Sequence, residues 1–387
     1  MFVGIKNPIT LVKKICAYII AIAIGYTSLI LFLGNQNDFG VTEDILLRKN
    51  FITHSLDSST LPSVFSSISD PQQKGEYALV TYAMATYALT NIAMMEPKMK
   101  DEASSIIKKW IEIVLRKEVS DFDTIAWNEA PLDESVLKKD RGHIGYYGHV
   151  NLMLGAYALL TSNGEFKEVH QKMSEAIRRR AQKYPHRHTE TYPNETYIAD
   201  NTVAIASLRI ADMTLGTDHN QLINEWLEQT KEMEDEETGL LPFQIESQKG
   251  LELQTYRGSH AGWDSFFLPL IDQVYAAKQF ERFKEKMLIN IPGFSGFKEY
   301  AKGTLFAIDR DSGPVFFGLS TSATGFSIAG ARYEDNEQLF SKLLGSIEFF
   351  GVSVTKNDER HYLTAPVIGD AIILAMRTAT PWKILWK

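Results

Sequence analysis

The chain has 387 residues, 44% of them hydrophobic, and carries 40 basic against 48 acidic side chains for a formal net charge of -8. That acidic balance argues against a nucleic-acid partner, which needs a basic face, and short clusters such as Arg178-Arg179-Arg180 read as a solvated helix face. The one cysteine, Cys16, lies in the first apolar run, so the rest of the chain has no internal disulfide, no cysteine metal site and no thiol nucleophile.

The first predicted element is that run. Ile15 to Leu33 carries no charge, and nineteen helical residues span roughly 28 Å, close to the hydrocarbon thickness of a bilayer. Lys6, Lys13 and Lys14 precede it, while Asp38, Glu43 and Asp44 follow it. The positive-inside rule therefore places residues 1–14 in the cytoplasm and the chain after the span outside. The run ends in Leu31-Phe32-Leu33-Gly34-Asn35, without the small residues of a cleavage site, so it reads as an uncleaved signal anchor. Residues 34–75, rich in Ser, Asp, Asn and Thr, read as a tether.

From Glu76 to about residue 380 the dominant period is helical. Tyr77, Val80, Met84 and Tyr87 open the first helix, and a second runs from Asp101 to about Lys117. Pairs then follow: His149–Thr161 with a helix to Lys183, Asp200–Leu215 with Gln221–Met233, Gly262–Ala276 with Phe280–Leu288, and Pro314–Tyr333 with Asn336–Phe350. A last helix covers Ala365–Thr378. The first member of each pair is apolar and rich in small residues; the second is amphipathic and charged. Apolar-all-round helices belong in a core and two-faced ones outside. The fold class expected is all-α, an (α/α)6-type toroid of about eleven helices after one transmembrane helix.

In such a toroid the loops leading into the inner helices gather at one end of a central cavity. Here they hold Arg141–His149, His186–Asp200, Tyr256–Asp264 and Ile308–Pro314, each combining glycine, aromatic and ionisable residues. Aromatic walls with a few polar groups are the usual form of a small-molecule site. His149 reads either as a proton carrier or as a loop anchor at a helix start. Asp200 reads as an N-cap or as an acid or base. Asp264 could cap or form a carboxylate pair with Asp200, an arrangement suited to cleaving sugar bonds. Tyr146, Tyr147, His260 and Trp263 read as pocket wall. Asp309 and Asp311 flank Arg310 as a salt-bridged turn, with Asp311 also a substrate-contacting candidate. His186, His188 and Glu190 read as exposed loop residues rather than metal ligands. Asn194-Glu195-Thr196 is a formal glycosylation sequon. No P-loop, no strand-followed GxGxxG and no G-x-S-x-G elbow is present, so no cofactor is expected.

Tyr146-Tyr147-Gly148-His149-Val150-Asn151-Leu152-Met153 resembles the Gly-His-Leu-Asn-Leu-Met stretch of the bacterial linalool dehydratase/isomerase family. Tyr192-Pro193 and Asn201-Thr202-Val203-Ala204 are similar to its next inner-helix start. The resemblance runs from about Glu76 to Leu288. It implies an α/α toroid, oligomerisation, a pocket for an acyclic terpene alcohol, and an active-site role for His149. The family's pocket cysteines are replaced by Thr191 and Asp200, and a methionine by Gly145. The outline also resembles six-hairpin glycosidases and polysaccharide lyases. The expectation is a membrane-anchored, extracytoplasmic enzyme performing dehydration, isomerisation or hydrolysis by acid–base chemistry on an apolar alcohol or a glycan. A module that binds lipid or oligosaccharide without chemistry is the alternative.

Overall fold

The computed structural model describes residues 39–58, 61–291, 294–300, 306–309, 312–316 and 318–386, with isolated positions 18, 20, 21 and 25 in the N-terminal apolar run. The expected membrane span thus lies almost wholly outside the described residues, as do Cys16, Arg310 and Asp311.

Among the described residues, thirteen α-helices longer than four residues follow Phe39. They are α1 (Glu43–Ser55), α2 (Pro71–Met95), α3 (Lys100–Val114), α4 (Lys117–Trp127), α5 (Ile144–Leu160), α6 (Lys167–Lys183), α7 (Ile198–Leu215), α8 (Asn220–Glu232), α9 (Gly258–Ile271), α10 (Gln273–Met287), α11 (Thr321–Tyr333), α12 (Glu337–Gly351) and α13 (Val367–Thr378). Packing makes a closed ring: α2 on α5, α5 on α7, α7 on α9, α9 on α11, α11 on α13, and α13 back on α2. Outside it, α3, α6, α8, α10 and α12 each pack on the inner helix that precedes them in the chain, and α1 covers α13. This is the α/α toroid of six helical hairpins, its last hairpin completed by the N-terminal helix.

The residues explain the two rings. Helix α5 is buried at nearly every position, so it can only be a core element. Helix α6 buries His170, Met173, Ser174, Ala176, Ile177, Arg180 and Ala181, one stripe of a charged helix. Small residues let the inner helices close up: a Cβ on Gly155 would stand 2.6 Å from the Ile210 side chain of α7. Helix α2 is, among the described residues, long and apolar enough to cross a membrane, but 89% of its most apolar window is buried inside the protein. It is a core helix. Its start is marked by Pro71 and by Asp70, whose carboxylate accepts from the Gln73 amide at 3.0 Å.

Two expectations are corrected. The stretch expected as a tether contains α1 and the start of α2. Arg48 of α1 is buried against Asp44 (3.2 Å), Glu348 (2.7 Å) and Ser353 (2.7 Å), with Tyr362 4.1 Å beneath it. A stretch rich in polar residues conceals this helix because it buries Arg48 and Lys49 alongside Ile45 and Ile52. The fold is also not all-α. Strands β1 (Thr196–Tyr197), β2 (Gln244–Ile245) and β3 (Glu252–Gln254) form one small antiparallel sheet. Strands β4 (Leu288–Ile291), β5 (Phe294–Lys298), β6 (Phe306–Asp309), β7 (Gly313–Phe316) and β8 (Leu319–Ser320) form another in the order β4-β5-β8-β7-β6. Strands β9 (Ser353–Lys356) and β10 (Glu359–Tyr362) form a hairpin. The helix expected over Pro314–Tyr333 begins only at Thr321; Pro314 sits in β7, and the Ser320 hydroxyl caps the helix from the Ala323 amide at 3.1 Å.

Every strand lies in a connection from an outer helix to the next inner one. All six inner helices therefore start at one end, the mouth, which carries the long decorated loops, while the other end has short turns. Functional groups concentrate on such loops when a rigid frame holds them. The far end is covered by the segment at Phe39 and by residues 382–386. Phe39 packs on Phe340, its carbonyl accepts from Arg332 at 2.8 Å, and the indole of Trp382 donates to Asn91 at 2.7 Å. The Leu385 amide caps the α5 carbonyl of Leu159 at 2.9 Å.

Candidate functional site

The mouth between α2, α5 and α7 is organised by one tight turn. The amides of Thr191 and Tyr192 both donate to the Glu195 carbonyl, at 2.8 and 3.3 Å, and the Glu195 amide returns a bond to Tyr192 at 2.8 Å. Asn194 takes the exposed tip with φ at +66°, a left-handed turn position that asparagine tolerates. Two clamps fix the turn. The Trp127 indole donates to the Thr191 carbonyl at 3.1 Å, and Asn201 on α7 exchanges two bonds with the Thr189 backbone, at 2.8 and 3.0 Å.

From this base, successive side chains reach two carboxylates on different helices. The Thr191 hydroxyl donates to Asp200 Oδ2 at 2.7 Å. The Tyr192 hydroxyl bonds Glu76, and the charges of Glu76 and Asp200 add to burial in holding its phenol far above the ordinary range, so it stays protonated. Asp200 is the third residue of α7 and Glu76 the sixth of α2. Asp200, Glu76 and Tyr192 are all half-buried, a position that both fixes a group and lets solvent reach it. Asp200 is not the N-cap of α7: that position is Tyr197, whose side chain makes no cap bond. Gly145 on α5 leaves room beside the carboxylate, where a Cβ would lie 3.2 Å from the Thr191 methyl and 3.8 Å from Asp200 Oδ1.

Below the mouth the axis is filled. His149 is buried, its Nδ1 3.0 Å from the Tyr87 hydroxyl, with the Trp263 ring edge-on at 5.6 Å and Phe267 at 6.3 Å. Tyr87 packs in turn on Phe266, Phe267 and Trp382. Burial pushes the His149 imidazole down to about 3, so it is neutral at neutral pH. Trp263 is the half-buried member of this stack. Asp264 and His260, one turn apart on α9, are both buried, with Nε2 and Oδ2 3.3 Å apart and out of hydrogen-bond alignment. Burial raises the Asp264 carboxyl to about 8 and lowers His260 to about 3, so both are neutral at pH 7. Asp264 reaches Thr202 on α7, which lies about 200° round the helix from Asp200. The structure therefore places Asp264 in the seam between α7 and α9, while the carboxylates whose charges reach Tyr192 along with Asp200 are Glu76 and Asp123.

The other sequence candidates fall elsewhere. Tyr146 and Tyr147 are buried, donating to the carbonyls of Val114 (2.9 Å) and Pro131 (2.6 Å), and so tie α5 to its outer neighbours. His186, His188 and Glu190 are buried rather than exposed, because their loop folds under the mouth. His186 Nε2 bonds the Ser247 carbonyl at 3.1 Å, His188 Nδ1 bonds the His186 carbonyl at 2.6 Å, and the Tyr184 hydroxyl donates to Glu190 at 3.1 Å. Among the described residues no group of three or more acidic, histidine or cysteine side chains could hold a metal ion. Arg180 is also buried, donating to carbonyls of the 136–142 loop, unlike the solvated face expected for its cluster. Glu76 was missed in the sequence; its signal is a lone acid in the first two turns of an otherwise apolar inner helix. His143 was passed over too, and it sits in a left-handed N-cap position between Asp123 and Glu129.

No family model matches the chain. Among solved structures the chain is similar to an unsaturated glucuronyl hydrolase specific for heparin, at 11% identity over 85% of this chain and 96% of that one, with a TM-score of 0.49. It is also similar to the unsaturated glucuronyl hydrolase of Streptococcus agalactiae, at 14% identity over 79% and 81% of the two chains, with a TM-score of 0.38. These are distant likenesses, and no residue is carried across from them.

Proposed function

We propose that the chain is a glycan-active hydrolase working by cofactor-free acid–base chemistry at the toroid mouth, with Asp200 an essential carboxylate. The observation that carries this reading is the turn that holds Asp200 and Glu76 through adjacent side chains, half-exposed, at the decorated end of the ring. Cleavage of a glycosidic bond needs two carboxyl groups flanking the scissile oxygen. Half-buried Tyr192, bonded to Glu76, offers an aromatic face for a sugar ring beside them. The terpene-alcohol reading draws less support, since aromatic side chains fill the axis and His149 is neutral, buried and hydrogen-bonded to Tyr87.

We further propose that the apolar run over 15–33 anchors the protein, with the toroid outside the cytoplasm. The described chain joins the ring at Phe39, at the end opposite the mouth. An anchor leading into that end turns the mouth away from the bilayer, towards soluble or cell-surface glycans.

The test is a substrate panel on the full-length protein in detergent: neutral oligosaccharides, the unsaturated glucuronides named for the two similar structures, and acyclic terpene alcohols. Sugar release that vanishes in Asp200→Asn supports the proposal. Conversion of a terpene alcohol alone would replace it. Ligand-induced stabilisation without product in the wild type would make the protein a binding module.

A further inference from the structure

The Arg141-Gly142-His143 stretch in front of α5 has no part in the proposed chemistry, yet all three residues meet one indole, that of Trp127 at the end of α4. The Arg141 guanidinium lies 5.8 Å from the ring centre. A Cβ on Gly142 would stand 2.5 Å from Trp127 Cη2, and the His143 imidazole packs on the indole with ring centres 5.0 Å apart. Consecutive residues of an extended chain point to opposite sides, so three in a row reach one ring only where the backbone turns sharply. Gly142 and His143 both take left-handed conformations, with φ of +73° and +64°. Glycine adopts that shape freely; a histidine there is uncommon and strained. Such strain persists only where the surroundings fix it, and it gathers at functional sites. Here the fixing groups are specific. The buried His143 ring bonds Asp123 of α4 through Nδ1, and its Nε2 lies 3.4 Å from Glu129. Arg180 of α6 donates from Nε to the carbonyls of Arg141 and Gly142, both at 3.0 Å. The imidazole is not spent on α5: His143 holds the N-cap position and its side chain makes no cap bond.

We infer that Arg141-Gly142-His143 is a seat for Trp127 that positions the mouth turn, and through it Asp200, with His143 as the lock of the seat. The seated indole donates to the Thr191 carbonyl at 3.1 Å, and the hydroxyl of the same Thr191 donates to Asp200 Oδ2 at 2.7 Å. Two hydrogen bonds thus lead from the seat to the carboxylate. A second tie runs beside them: the amide of Ile144, the residue after the lock, reaches the Glu190 carbonyl next to the turn at 3.4 Å. Asn201 holds the Thr189 backbone from α7, so the seat supplies the opposing hold from α4 and α5. His143, Gly142 and Trp127 are positioning residues, acting on Asp200 through Thr191. The consequence for turnover rests on the glycan-hydrolase reading, while the hold on the turn belongs to the fold alone. Where a carboxylate must meet reacting atoms, a misplacement of about 1 Å can cost ~10²-fold in rate.

The experiment is backbone amide hydrogen exchange in the full-length protein in detergent, on the wild type, Trp127→Phe, Gly142→Ala and His143→Asn, with kinetics on the same proteins. Trp127→Phe keeps an aromatic ring and removes the donor. Gly142→Ala drives a methyl into the indole. His143→Asn keeps a residue that tolerates the left-handed backbone and removes the imidazole. Each should speed exchange at the Thr191, Tyr192 and Glu195 amides, which bond within the turn, by about 3–10-fold, the equivalent of one lost hydrogen bond. The β9–β10 hairpin should exchange as in the wild type. His143→Gln, which keeps an N–H donor for the two carboxylates, should move the turn less than His143→Asn. Turn exchange unchanged in Trp127→Phe overturns the inference, and so does a rise shared equally by the hairpin, which would make the stretch merely structural. Trp127→Phe, the mildest change, decides the matter if Gly142→Ala does not fold. On a glycan that the wild type cleaves, Trp127→Phe and His143→Asn should lose roughly 10–100-fold in kcat with a smaller change in KM. Full kcat beside a loosened turn would overturn the link to Asp200 and leave the hydrolase reading standing. No turnover by the wild type would refute the hydrolase reading, and the exchange result alone would then uphold or overturn the seat.

Discussion

His170 gives a stability test that does not depend on function. It sits on the buried stripe of α6, its Cε1 3.6 Å from where a Gly155 Cβ would be, and its Nε2 has no hydrogen-bond partner. Burial lowers its imidazole to about 4, against about 6.5 in an unfolded chain. A folded value below the unfolded one means the native state binds fewer protons in that window. The stability His170 contributes is therefore present above about pH 6.5 and is lost as pH falls towards 4. One and a half units below the unfolded value, at pH 5, the loss is ~2 kcal/mol. Replacing His170 with Leu removes the titration and leaves an apolar side chain in an apolar seam. The variant should match the wild type within ~1 kcal/mol at pH 7. At pH 5 it should gain ~2 kcal/mol relative to the wild type. Urea unfolding of both full-length proteins in detergent, at pH 7 and pH 5, reads this as a difference of differences. The comparison within one position matters, because Asp264 and Asp370, raised by burial to about 8 and about 7, gain stability over the same descent. A wild-type to variant difference that stays flat between the two pH values would refute the reasoning.

Two further outcomes follow from the same structure. Asp264 has a folded value raised to about 8, so the stability it contributes is full below about pH 4 and is lost as pH rises through 8, by up to ~1.4 kcal/mol per unit. Asp264→Asn should remove that slope in urea unfolding between pH 5 and 8. Arg48→Met should cost about 1.5–3 kcal/mol, the scale of a lost charge-assisted hydrogen bond, because it removes the 2.7 Å partner of buried Glu348 and leaves that carboxylate to Arg360, Arg377, Ser353 and Tyr362. Thermal unfolding would register the loss, and an unchanged midpoint would show that the Arg48 contacts do not hold α1 on α13.

The ring was legible because burial writes itself into composition: inner helices are apolar all round and outer ones are two-faced. The strands were not, since they are two to five residues long and carry aromatics and glycines with no lasting period. Helix α1 was concealed by docking through Arg48 and Asp44, residues that read as solvent-facing. The motif residues that carried the family resemblance turn out to serve packing. Asn151 bridges Ser174 and Ser207 at 3.2 and 2.9 Å, and Asn201 clamps the loop at Thr189. Asp200 could be picked out because it falls at an inner-helix start behind a glycine- and aromatic-rich loop. Its relation to Glu76 could not, because more than a hundred residues separate them and only the packing of α2 on α5 and of α5 on α7 brings both helix starts to one mouth.

The central claim is that the toroid mouth cleaves glycans through Asp200. The most direct measurement is the rate of reducing-end release from an oligosaccharide panel by the wild type and by Asp200→Asn, with circular dichroism confirming equal helical content. The account predicts release by the wild type and a fall of ~10³-fold or more in the variant, the scale expected for removing a carboxyl group that moves a proton in the transition state. Release that survives the substitution undiminished would contradict it.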